Sequence, residues 1–212
     1  MKHNYQLDTD AIISKLDGQR PRVLLQCCCG PCSSYVVEYL FKNFDVTVLF
    51  YNPNIQPVEE YHKRLYWLKE VLKRYDGNVE LMECSYDGES FVEMAKGLEK
   101  EPEGGGRCTK CFRLRLEETA KRAKEGNFDY FCTTLTVSPH KDQERINTIG
   151  YELSEKYGVK WLPSDFKKRE GYKRSIVLSR EYGLYRQDYC GCLFSKEASE
   201  RQKAAKEAAG KE

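Results

Sequence analysis

The sequence lacks any apolar run approaching the roughly 20 residues of a membrane span, so no membrane association is expected. Its start, MKHNYQLDTD, lacks the hydrophobic centre of a secretory signal. These two absences point to a cytoplasmic protein. An excess of charge is missing too: 35 Lys and Arg against 33 Asp and Glu leave a formal +2. The overall balance therefore argues neither for nor against a nucleic-acid partner. No internal repeat and no interdomain linker break the 212 residues, a length that suits one domain. Hydrophobic residues make up 40% of them, enough for a full core that needs no structural metal to hold it.

Cysteine, by contrast, is abundant: ten residues, at positions 27, 28, 29, 32, 84, 108, 111, 132, 190 and 192. Structural disulfides are rare in the cytoplasm, so clustered cysteines there mean metal or catalysis more often than bridges. Cys84 and Cys132 sit at or near the ends of apolar runs and read as small core residues. The others fall in tight groups among glycine, proline and charge: LLQCCCGPCS at Leu24–Ser33, Cys108-x-x-Cys111 and Cys190-Gly191-Cys192.

Strand and helix patterns alternate through the first three-quarters of the chain. Expected strands are Arg22–Cys27, Val46–Tyr51, Val79–Cys84, Tyr130–Val137 and Val159–Leu162. Expected helices are Cys32–Lys42, Glu59–Tyr75, Phe91–Leu98, Cys108–Lys124 and Lys141–Tyr157, with Tyr61, Leu65, Leu68 and Leu72 at helical spacing in the second. This alternation predicts an α/β fold: a Rossmann-like parallel sheet with helices on both faces. Sites in such sheets lie beyond the carboxyl ends of the strands. Cys28, Cys29, Asn52, Asn54, Cys84, Ser138 and Asp165 all follow strands and are expected on that edge. One domain over 1–212 is expected, with its core at 22–163. A basic, cysteine-containing extension for substrate and redox chemistry follows at 164–194, and a solvated helical tail at 195–212.

Three chemistries compete for the cysteine groups. Cys29-Gly30-Pro31-Cys32 carries the dithiol motif of thioredoxin, at a strand end that opens a helix. That reading leaves the other groups without a role. The two C-x-x-C pairs could close a tetrahedral zinc site, but adjacent Cys28-Cys29 and the C-x-C pair stay unexplained. An iron–sulfur cluster suits adjacent cysteines better, because its irons are separate and each thiolate can take its own. Cys28 and Cys29 would take two irons, and Cys108 and Cys111 at a helix start the other two. Glycines Gly104–Gly106 let that helix start approach the sheet edge. The C-x-C pair reads as a redox couple, since a bridge between residues i and i+2 closes a strained and labile ring. The alternative is two further metal ligands.

The motifs LLQCCCGPCS, YNPNIQPVEEYHKR, EGGGRCTKCFRLRLEETA, FCTTLTVSPHKD and DFKKREGYKRSIVLSREYGLYRQDYCGC occur in that order. From about Arg22 to Cys192 the chain resembles the cobalamin-independent epoxyqueuosine reductases, the QueH-type family. The resemblance implies reductive removal of the epoxide oxygen from epoxyqueuosine in the tRNA anticodon loop, the last step of queuosine synthesis. It implies a 4Fe-4S cluster on Cys28, Cys29, Cys108 and Cys111, and a redox-active pair at Cys190 and Cys192. The implied fold is that of the adenine-nucleotide α-hydrolases. CCCGPCSS stands in place of their phosphate loop, so no ATP chemistry is expected. Cys27 is an extra thiol beside the family's pair.

Opening an epoxide to an alkene consumes two electrons and two protons, so an external electron donor is expected. The leaving oxygen needs an acid, either a proton donor or a Lewis-acid metal. Tyr189, Asp188 and His140 are candidate donors. Ten cysteines exceed four ligands and leave room for a second, mononuclear iron, with Cys32 and Asp165 as its candidates. Asn52 and Asn54 are expected at the substrate. Lys167–Arg186 holds seven basic residues against two acidic ones, a net +5 in a chain whose total is +2. Lys167, Lys168, Arg169, Arg174 and Arg186 are expected on tRNA phosphates, with Tyr172 and Tyr185 stacking on an unpaired base. A stand-alone electron-transfer protein and a zinc-stabilised RNA-binding module are the other classes these features allow.

Overall fold

Five parallel strands form the sheet of the computed structural model, which describes residues 3–209. They are β1 (Arg22–Gln26), β2 (Asp45–Phe50), β3 (Glu80–Glu83), β4 (Tyr130–Thr133) and β5 (Lys160–Trp161), in the order β3-β2-β1-β4-β5. A parallel sheet is covered on both faces. Accordingly, every residue of β1 and β2 after the first is buried, which is why they read as largely apolar runs, with only Gln26 and Thr47 polar. The helices are α1 (Tyr5–Ile13), α2 (Gly30–Leu40), α3 (Val58–Leu72), α4 (Gly88–Ala95), α5 (Gly106–Glu125), α6 (Gln143–Tyr157), α7 (Gly171–Glu181) and α8 (Leu193–Ala209). On one face α2 packs against α3 and α7; on the other, α5 packs against α6, β1 and β4.

Four features depart from the sequence expectation. β4 ends at Thr133, and Thr134–Val137 form a 3₁₀ turn in which the Thr133 side chain accepts from the Leu135 N–H. Helix α1 had no counterpart in the pattern; it is tied down by the Thr9 hydroxyl, which donates to the Pro163 carbonyl at 2.5 Å. The basic segment contains α7, whose Leu178 is fully buried. α8 begins two residues before the expected tail, and one side of its first turns meets the fold: Ser195 is buried, and Ala198, Ser199 and Gln202 line a cleft.

Gly30 explains part of the CGPC motif without chemistry. A Cβ there would lie 2.8 Å from the carbonyl oxygen of Trp67, a backbone atom of α3. Glycine lets α2 and α3 touch. Gly30→Ala is expected to lose about 1–3 kcal/mol through overpacking, measurable as a lower urea midpoint with an unchanged slope. An unchanged midpoint would mean the two helices are not held this closely.

Candidate metal and redox centre

The strand order reverses between β1 and β4, and at such a switch point loops leave in opposite directions and open a crevice. Here the crevice is a cleft of about 600 Å³, and Cys28, Cys32, Arg115, Lys141, Tyr189 and Cys190 are among its lining. Cys28 leaves β1 into it, and Cys29 is buried beside it. Across the gap the Cys28 sulfur lies 3.9 Å from the Thr134 hydroxyl, just past β4.

The sulfurs of Cys28, Cys29 and Cys32 lie within 4.8 Å of one another, an arrangement that could hold a metal ion. Cys29 caps α2, so all three thiols gather at that helix start. Hydrogen bonds from Cys29 and Cys32 hold the Cys28 thiol well below its ordinary range, helped by the charges of Arg115 and Arg64. The same bond pushes Cys29 up to about 12. Gln187 donates to the Cys29 sulfur at 3.0 Å. Cys27 belongs to the core instead: it is fully buried, and burial pushes its thiol well up. Cys132 is buried too, while Cys84 is half-buried at the core margin and does not line the cleft.

The second C-x-x-C pair opens α5. Gly104 takes the left-handed conformation (φ +87°), and its N–H donates to the Cys108 sulfur at 3.2 Å. The Gly106 N–H is capped by Glu101 at 2.8 Å. Cys111 is buried beside Phe91, Ala95 and Cys192. One turn further on lies Arg115, 1% exposed, with its Nη2 lacking any partner. The groups that bear on its charge are Cys111, Cys190, Cys28 and Cys108. A buried guanidinium is costly unless anions surround it. Neutral thiols do not supply that charge and metal-bound thiolates do, so the residues present fit an anionic metal centre. The sequence held a signal for Arg115: it shares a helical stripe with Cys108 and Cys111. Arg107, in the first turn of the same helix, is buried as well.

The Cys190-Gly191-Cys192 turn is held from β2 and α3. Buried Arg64 donates to the carbonyls of Cys190 at 2.9 Å and Tyr189 at 3.2 Å. The Gln56 N–H donates to the Gly191 carbonyl at 2.8 Å, and Gly191 (φ +145°) leaves a side chain no room against Asn54 and Ile55. Both thiols are free; Cys190 is half-buried at the cleft and Cys192 buried. Neither Arg64 nor Lys141, which donates to the Cys190 sulfur at 2.7 Å, was singled out from the sequence.

The remaining candidates scatter. Asp188 is paired with Lys203, which lowers its carboxyl and leaves no proton to give at neutral pH. Tyr189 lines the cleft, but its hydroxyl donates to the Gln56 carbonyl at 2.8 Å, and burial pushes it up to about 12. His140 is exposed at the rim. Asp165 is buried on Lys167 and does not join the three-thiol group. Asn52 is buried below the cleft, accepting from Gln26 at 3.0 Å and donating to the Cys27 carbonyl at 2.8 Å. Asn54 packs against Gly191 with its Oδ1 unpartnered. Much of the basic segment is engaged: Lys167 on Asp165, Arg169 on Asp10, Lys173 on Glu170 and Arg174 on Glu38. Lys168, Arg180 and Arg186 stay exposed. Tyr185 carries Lys63 over its ring at 3.6 Å and Tyr182 carries Arg74 at 3.7 Å, whereas Tyr172 lines the cleft.

A parallel α/β sheet with a cleft at its switch point, a buried guanidinium and three clustered thiols that could hold a metal ion fits the class of oxidoreductases. The family model of "Epoxyqueuosine reductase QueH" matches residues 23–198, and the chain belongs to that family. The epoxyqueuosine reductase QueH of Streptococcus pyogenes serotype M1 is 42% identical over 205 residues, covering 92% of this chain and 80% of that protein. That of Staphylococcus epidermidis is 42% identical over 204 residues, covering 91% and 86%. The one from Thermotoga maritima is 38% identical over 174 residues, covering 82% and 89%.

Proposed function

We propose that this protein is an epoxyqueuosine reductase that removes the epoxide oxygen of epoxyqueuosine in tRNA to give queuosine. The observation that carries the reading is Arg115, buried with its Nη2 unpartnered among cysteines of three separate segments beside the cleft. Cys28, Cys29, Cys108 and Cys111 would hold a 4Fe-4S cluster, which when bound supplies electrons one at a time. Cys190 and Cys192 store the two electrons the reaction needs, and an external donor restores them. Cys32, beside Cys28 and Cys29, is the residue left for a second, mononuclear iron. No helix among the described residues is long and apolar enough to cross a membrane, in keeping with the expected cytoplasmic site of action.

Absorption of the anaerobically purified protein, with iron, sulfide and zinc analysis, tests the metal. Broad sulfur-to-iron absorption with matching iron and sulfide supports the reading. Stoichiometric zinc without iron would favour an RNA-binding module instead.

The cleft rim sets the tRNA contacts. Lys168 and Arg186 are exposed, and Arg186 and Tyr172 line the cleft. Lys168→Glu with Arg186→Glu is expected to weaken tRNA binding and flatten its salt dependence by roughly one log–log unit per lost phosphate contact. Binding measured over a salt series checks this. An unchanged slope would place the tRNA on another face.

A further inference from the structure

Lys141 reaches into the cleft from the turn before α6. Its ammonium donates to the Cys190 sulfur at 2.7 Å, and its side chain is only 11% exposed. The charged and titratable groups that face it are Cys190, Glu103, Arg115 and Cys111. Glu103 is the only carboxylate among them, at 3.8 Å and half-exposed. The ring of Phe112 lies 6.0 Å away. The covered ammonium of Lys141 thus has the Cys190 sulfur as its nearest partner.

We propose that Lys141 and Cys190 rest as an ammonium–thiolate pair and that Lys141 is the proton donor of the two-electron step, releasing its proton toward the leaving oxygen as the Cys190 sulfur enters a disulfide with Cys192. This rests on the reading of Cys190 and Cys192 as the redox pair. The step balances. The Cys190 thiolate and the Cys192 thiol join as a disulfide, giving up two electrons and one proton. The Lys141 ammonium gives the second proton and becomes an amine. In the substrate both C–O bonds of the epoxide break, a C=C bond forms, and the oxygen leaves with both protons as water. The thiolate–ammonium pair is neutral at the start, and the disulfide and amine are neutral at the end.

The environment times the release. Burial pulls the Lys141 ammonium toward deprotonation, but the Cys190 sulfur more than offsets it and holds the group well above the ordinary lysine range. Arg115 adds to burial, and Glu103 opposes it weakly from a solvated position. When Cys190 joins the disulfide its charge vanishes, and burial and Arg115 drive the proton off. The proton is thus delivered with the electrons and not before them.

Lys141→Arg keeps a cation against the sulfur but cannot lose its proton. Holoenzyme is equilibrated anaerobically in thiol–disulfide buffers on either side of neutral pH, the pair is read by alkylation and mass spectrometry, and its equilibrium is referred to one fixed potential, which removes the two protons that the buffer thiols themselves take up. Each proton released shifts the equilibrium tenfold per pH unit, about 30 mV for a two-electron couple. The wild-type pair is expected to shift a hundredfold per pH unit, about 59 mV, and the Lys141→Arg pair tenfold. Single-turnover queuosine formation by the variant is expected to slow about a hundredfold or more at unchanged iron content. A tenfold wild-type shift overturns the proposal and requires no variant. So does a hundredfold shift in Lys141→Arg, or turnover within about threefold of wild type, since loss of a proton donor costs far more. Cys190→Ser with Cys192→Ser separates the two readings. If that variant is inactive while Lys141→Arg is active, only the role of Lys141 falls; if it is fully active, the redox-pair reading falls and the proposal with it.

Discussion

Cys190→Ser with Cys192→Ser is expected to abolish queuosine formation and leave the iron in place. The two thiols sit on a turn fixed by Arg64, Gln56 and the packing of Gly191. These contacts are made by backbone atoms, so serine leaves them intact. The proposed cluster ligands come from the ends of β1 and the start of α5, so they do not depend on this turn either. What the variant loses is the store of two electrons. Because Cys190 lines the cleft and Cys192 lies behind it in the apolar cluster with Phe91 and Cys111, substrate meets the pair from the Cys190 side. Iron content, the visible spectrum and nucleoside mass spectrometry measure the outcome. Normal reduction of epoxyqueuosine with a chemical reductant would show that the pair has no catalytic part.

Cys111→Ala is expected to lose most of the iron and sulfide and to keep its fold. Burial pushes the Cys111 thiol up to about 11, so without metal it is a neutral, buried thiol at pH 7. Metal must displace that proton, and ligation therefore releases protons. The sign follows: metal loading strengthens as pH rises and fails as pH falls and the thiols hold their protons. Removing the sulfur takes away a proposed ligand, at a folding cost of about 1–2 kcal/mol for a small buried truncation. Cys132→Ala should cost a similar amount and keep the metal, because Cys132 is fully buried in the sheet core. A full cluster in Cys111→Ala would remove this residue from the ligand set.

The sheet was legible because buried parallel strands leave short apolar runs, and RVLLQ and VTVLF are such runs. The grouping of Cys28, Cys29 and Cys32 was legible for a related reason: a strand end and a helix start confine them to a few residues. α7 was hidden by its charge, since a helix with only one apolar stripe among Lys and Arg reads as an extended basic segment. The ion pairs within the basic segment were not legible. Lys167, Arg169 and Arg174 spend their charge on Asp165, Asp10 and Glu38, partners far off in sequence or hidden by the fold. Lys141 and Arg64 were out of reach for the same reason. Their contacts with the Cys190 segment span 49 and 126 residues and leave no local pattern.

The most direct measurement is nucleoside analysis of tRNA carrying epoxyqueuosine after anaerobic incubation with the iron-loaded protein and a reductant. The account expects epoxyqueuosine to disappear as queuosine forms in equal amount, and neither change with protein whose metal has been removed. Intact epoxyqueuosine after incubation with protein of full iron and sulfide content, under conditions where the tRNA is bound, would contradict it.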